Sequence, residues 1–126
     1  MPRSRKILVV EDDRLAAWHL SILMREWGYE MAVWTTDHSF SLASFHHFRP
    51  DLLLMSCDSG GIMEPYGVLP LVASFLNIPI LILSATVPKE SVRWEAGISY
   101  LSKPFWAHQL KDKIKEGLSN SVYTHY

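Results

Sequence analysis

Apolar residues along this chain fall into two kinds of run. The stretches ILVV at 7–10, LLLM at 52–55 and IPILIL at 78–83 have no polar interruption. A strand exposed on one face would alternate apolar with polar, so these read as strands covered on both faces. Between them, apolar residues recur at intervals of three and four, which predicts helices. The first covers residues 14–27, capped by Asp13, with Leu15, Trp18, Ile22 and the 24–27 segment as its buried stripe and Gly28 as its stop. Residues 29–34 read as a second strand. A second helix starts from Asp37 and runs to Phe48, with Phe40, Ala43 and His47 at helical spacing and Arg49-Pro50 closing it. Further on, a helix is expected at 67–76, where Pro70 fits only in the first turn. A short helix at 90–96 closed by Gly97, a fifth strand at 98–101 and a last helix at 106–118 complete the series, the last with Leu110, Ile114 and Leu118 on one face.

Five strands alternating with five helices imply right-handed crossovers. They predict an α/β, doubly wound fold with a five-stranded parallel sheet between two helix layers. The 126 residues, 48% of them hydrophobic, suit a single domain with a core over about 6–118. The formal charge is −1 and the basic residues form no stripe, which removes support for nucleic-acid binding by bulk electrostatics. No apolar run reaches the length of a membrane span, and the basic start at 1–6 leads into a strand and acids. The expected location is cytoplasmic, with no membrane contact. Cys57 is the single cysteine, so neither an intramolecular disulfide nor a cysteine-built metal site is available. His38, His46 and His47 are not spaced as metal ligands.

The chemistry concentrates at strand ends. KILVVEDD releases Glu11, Asp12 and Asp13 after the first strand, PDLLLMS ends on Ser56, and SKPF places Lys103 after the last strand. Sites in open parallel sheets form outside the strand carboxyl ends, so these residues are expected to share one pocket. Asp13 reads as the helix cap rather than a ligand.

KILVVEDD, RPDLLLMS, IPILILSA and AGISYLSKPF, in that order and spacing, resemble the CheY-like receiver domain of two-component response regulators. The resemblance covers residues 6–118 and implies a flavodoxin-like (βα)5 fold. It also implies that Glu11 and Asp12 are the acid pair for a magnesium ion, that Ser84 and Lys103 contact phosphoryl oxygens, with the lysine preceding a cis-proline, and that Tyr100 is the aromatic that switches rotamer. The family's phosphoacceptor is an aspartate, which takes its phosphoryl group from a histidine kinase. Here that position is Ser56.

A serine hydroxyl is a weak nucleophile without a base beside it, and its phosphate ester would be kinetically inert. Magnesium loses one carboxylate, so the ion is expected to bind weakly or not at all, and no other cofactor is implied. The Lys103 ammonium could lie among Glu11 and Asp12 in the metal's place. The expected function is an atypical pseudo-receiver, not an enzyme, that works as a protein-interaction module without aspartyl phosphorylation. The alternative keeps a working acceptor: Asp58, two residues beyond Ser56, could be displaced into the pocket with Mg2+ at Glu11 and Asp12. Otherwise Asp58 is a turn residue ahead of Ser59-Gly60-Gly61. In receivers a kinase or output protein usually docks on the surface built by the fourth helix, fifth strand and fifth helix, which Trp94, Tyr100 and Trp106 would flank here. The Ser84 to Lys103 interval is about one helical turn shorter than usual, so that surface is expected to be remodelled. The loop 57–67 is longer than the family pattern.

Overall fold

The computed structural model describes residues 4–34, 42–57, 76–85 and 97–122. Five strands, β1 (Lys6–Val10), β2 (Glu30–Trp34), β3 (Leu52–Cys57), β4 (Ile80–Ser84) and β5 (Ile98–Ser102), form one sheet in the order β2-β1-β3-β4-β5. Every neighbouring pair is parallel. The chain steps outward from β1 to β2 and then crosses back to β3, so the winding reverses between β1 and β3. A doubly wound sheet opens a crevice outside the strand carboxyl ends at that point.

The uninterrupted apolar strands are explained by burial on both faces. Alternation sends Ile7, Val9, Leu52, Leu54, Leu81 and Leu83 to one face, where they meet Leu20, Leu23 and Met24 of helix α1 (Arg14–Glu26). Leu110, Ile114 and Leu118 of the C-terminal helix (Ala107–Val122) complete that layer, as their spacing predicts. On the opposite face Leu8, Val10, Leu53, Met55, Ile80 and Ile82 pack around Phe45 of α2 (Leu42–Phe48), and Trp34 meets the Phe45 ring edge-on at 6.2 Å.

Local chemistry sets the ends of α1. The Asp13 carboxylate accepts from the backbone N–H of Leu15 at 2.9 Å and of Ala16 at 3.3 Å, satisfying two donors that the first turn leaves without partners. At the other end Gly28 takes φ 82, its N–H donates to the Arg25 carbonyl and the Tyr29 N–H to that of Met24. These two bonds make a Schellman stop, which favours glycine at the left-handed position.

The stripe expected on α1 is borne out at Met24 and Trp27 and rotated at its other positions. Leu20, Leu23 and Met24 are buried, whereas Leu15 (71% exposed), Trp18 (61%) and Ile22 (36%) face solvent. The helix carries two apolar sets at helical spacing. Only one can face the sheet, and the denser one, which continues into Trp27, takes that place. On α2 the buried residue is Phe45, at 1% exposure, and the expected Ala43 and His47 lie outward. Asp37 and Phe40 fall outside the described residues, as do residues 67–75 of the helix expected over 67–76, whose last residue Leu76 lies in a turn, and the whole of the helix expected over 90–96. Several strand ends also differ from the sequence reading. β3 continues through Ser56 and Cys57, because Ser56 pairs with Leu83 and Cys57 with Ser84 in the ladder. β4 begins at Ile80, the first residue in register with Leu53 and Ile98, and β4 reaches Ser84 and β5 Ser102 because these two residues pair. The C-terminal helix runs on to Val122, past the expected end at 118.

Candidate functional site

Period-two alternation decides which polar side chains meet. Ser56 follows Leu52 and Leu54 on the face that carries α1, Glu11 follows Ile7 and Val9, and Lys103 follows Ser99 and Leu101. All three emerge at carboxyl ends of strands on the same side of the sheet. They line a cleft of about 540 Å3 together with Asp13. Ala16, Leu20, Leu83, Pro104 and Phe105 supply the apolar part of its lining, with His19 also on its wall.

Each polar residue is held in place. Glu11 is 3% exposed, and its Oε2 accepts from the Asp13 N–H at 3.0 Å. The β1–α1 turn therefore positions this carboxylate as well as capping the helix. Lys103 is fixed at two levels: its backbone N–H donates to the Ser84 carbonyl at 2.9 Å, and its ammonium donates to Ser56 Oγ. The Lys103-Pro104 peptide bond is cis. An ammonium has hydrogens to give and no lone pair to accept one, so in this arrangement it stabilises the hydroxyl oxygen and does not take its proton. Ser56 has a partner but no base from this lysine. As a donor set for a hard dication the cleft offers the Glu11 carboxylate, with one oxygen accepting a backbone N–H, the neighbouring Asp12, a neutral hydroxyl and an ammonium. Magnesium is held through one or two carboxylates with water completing its octahedron, so the two acids are the residues that would hold it.

No protein-family profile matches the chain. A curated relative, the DNA-binding response regulator MtrA of Mycolicibacterium smegmatis, is 32% identical over 117 residues, which is 90% of this chain and 50% of that protein. The chain thus spans about half the length of the curated relatives it matches. Among solved structures, a putative response regulator from Chloroflexus aurantiacus is 28% identical, with a TM-score of 0.67 over 93% of this chain and 99% of that one. A CheY-like receiver domain from Methanospirillum hungatei superposes with a TM-score of 0.74 at 22% identity, covering 97% and 99% of the two chains. The chain is a response-regulator receiver domain. Its five-stranded parallel sheet with flanking helices is the flavodoxin-like arrangement expected from the sequence.

Within this receiver domain the residues singled out in the sequence divide into groups. Glu11, Ser56 and Lys103 converge on the cleft, and Asp12 stands exposed beside it. Ser84 is 2% exposed on β4 and is tied to the site through its carbonyl, which holds the Lys103 backbone. Tyr100 pairs with Ile82 in the ladder and lies half-buried against the α2-side core, away from the cleft. Trp106 is exposed just ahead of the C-terminal helix, where its N–H donates to Gln109 Oε1 at 2.7 Å and so caps the first turn. Asp58 and Trp94 lie outside the described residues. The apolar part of the cleft lining was missed in the sequence. The signal was present, since Asp13, Ala16 and Leu20 recur at three- and four-residue spacing and so share the helix face below the cap.

Proposed function

We propose that this receiver domain is a pseudo-receiver: a protein-interaction module that works without conventional aspartyl phosphorylation and has no catalytic activity of its own. The observation that supports this reading is the Ser56 hydroxyl at the cleft centre, engaged by the Lys103 ammonium. Phosphoryl transfer to receivers needs an anionic oxygen to attack and a metal to neutralise developing charge. Both needs are met poorly here. In this reading magnesium binds weakly or not at all at Glu11 and Asp12, and the lysine holds the pocket in one state. A kinase or output protein is the partner, met on the face that carries β5 and the start of the C-terminal helix, with Tyr100 and the exposed Trp106 contributing to it. The domain itself makes no contact with nucleic acid or membrane and works in the cytoplasm. Among the described residues no helix is long and apolar enough to cross a membrane.

The test is incubation of the purified chain with magnesium and either acetyl phosphate or beryllofluoride, followed by intact mass and tryptophan fluorescence. The expected result is no phosphoryl adduct and no magnesium-dependent spectral change. A hydroxylamine-sensitive adduct that Asp58→Asn abolishes would overturn the proposal in favour of a displaced acceptor.

A further inference from the structure

Three of the described large apolar side chains left in solvent sit on one helix: Leu15, Trp18 and Ile22 of α1. Their spacing of three and then four residues makes one stripe along the outer face, the geometry of a helix seam rather than of scattered surface residues. Isolated exposed apolar residues are ordinary, but an aligned stripe that includes a tryptophan 61% exposed marks a contact surface.

The residues flanking this stripe say what covers it. At about 100° per residue, Arg14 and Arg25 fall on the Trp18 side of the stripe, and His19 and Glu26 on the Leu15 side. All four are exposed. One flank is basic, and the other carries the acid. We propose that the outer face of α1 is the interface of a homodimer in which two copies pack their α1 helices in parallel about a two-fold axis. Parallel packing sets the basic flank of each copy against the acidic flank of the other. Arg25 then meets the partner's Glu26 at nearly the same height, and the contact occurs twice, as an isologous interface requires. Trp18 inserts between the partner's Leu15 and the partner's Ile22. Antiparallel packing joins like flanks instead. It sets Arg25 against the partner's Arg14 and gives Glu26 no basic partner, so charge selects the parallel arrangement.

The size of the patch sets the strength of association. A helix of 13 residues is about 20 Å long. With three apolar residues at its centre and a charged rim, it covers less than the roughly 800 Å2 per partner of a standard interface. The dimer is therefore a weak one in concentration-dependent exchange with the monomer. None of this depends on the chemistry of the cleft.

Sedimentation equilibrium of the full chain from about 1 to 500 µM tests the proposal, with dimer mass expected at the upper end. Trp18→Ala, at an exposed position that the fold does not need, should weaken association about tenfold or more. Arg25→Glu and Glu26→Arg should each weaken it severalfold, while the two changes together restore it, because the swapped charges still meet across a parallel pair. A chain that stays monomeric throughout, even one that another protein covers at Trp18, overturns the proposal. So does a dimer indifferent to Trp18→Ala, or a charge swap that fails to restore association.

Discussion

Under the proposed reading, Ser56 near the carboxyl end of β3 stands where an acceptor aspartate would add one negative charge to a site that holds a buried carboxylate, a neighbouring acid and a lysine. In a receiver with an acceptor aspartate the lysine pairs with an anion; here Lys103 donates to a neutral hydroxyl. Supplying that charge with Ser56→Asp is expected to give the lysine an anionic partner and to complete an acidic site for magnesium. The variant should gain magnesium-dependent beryllofluoride binding, read by tryptophan fluorescence. A variant as inert as the parent would show that the obstacle lies beyond residue 56. At this scale the sequence was informative because strand alternation is strict: once 52–55 is read as a strand, the side of the sheet on which Ser56 lies is set by parity with Leu54. His19 carried no such marker. Its place on the cleft wall depends on how α1 rolls on the sheet, and that is decided by packing with residues distant in sequence.

That roll belongs to the scale of the element. Two apolar stripes on α1 compete for the core, and periodicity alone does not choose between them. The choice follows from the number of side chains each can bury. Leu20, Leu23 and Met24, extended by Trp27, join the core layer on that face of the sheet, and the Leu15, Trp18 and Ile22 stripe is turned outward. The ends of the same helix were legible in the sequence, because capping is local chemistry: an aspartate before the first turn and a glycine after the last act through neighbours within a few residues. Strand ends were less so, since the ladder continues wherever a partner strand offers pairing, polar residues included. The Asp13 cap makes a measurable contribution. Asp13→Ala removes the acceptor for the Leu15 and Ala16 N–H groups and should lower stability by about 1 kcal/mol in urea titration, while Asp13→Asn should retain most of it. An alanine variant as stable as the parent would mean that water satisfies those donors equally well.

For the molecule as a whole, a parallel sheet with a core layer on each face was predictable from the apolar strands and the intervening helical spacing, because a parallel sheet must be covered on both faces, whereas the order of the strands was not. Stability at alkaline pH follows from a detail that composition does not reveal. Tyr29, packed against the α1-side core at the start of the β2 edge, has its phenol raised above the ordinary value of 10.0 by burial, an effect that the nearby Arg5 partly opposes. The folded chain thus keeps this proton longer than the unfolded chain does. The unfolded chain begins to ionise near the ordinary value, so stability present below it is lost as pH rises through 10.0 toward the folded value. Tyr29→Phe should flatten that decline, seen as a smaller fall in urea midpoint between about pH 8 and pH 10.5. An unchanged slope would assign the decline to other groups. The double anchoring of Lys103, with its main chain on β4 and its ammonium on β3, bears on how the domain signals under the proposed reading. The segment leading into the C-terminal helix is pinned to two strands at once, and under that reading the domain keeps this one arrangement. A partner docked there would sense only how many copies the cell makes, so the input to such a domain is written in transcription and turnover rather than in phosphate.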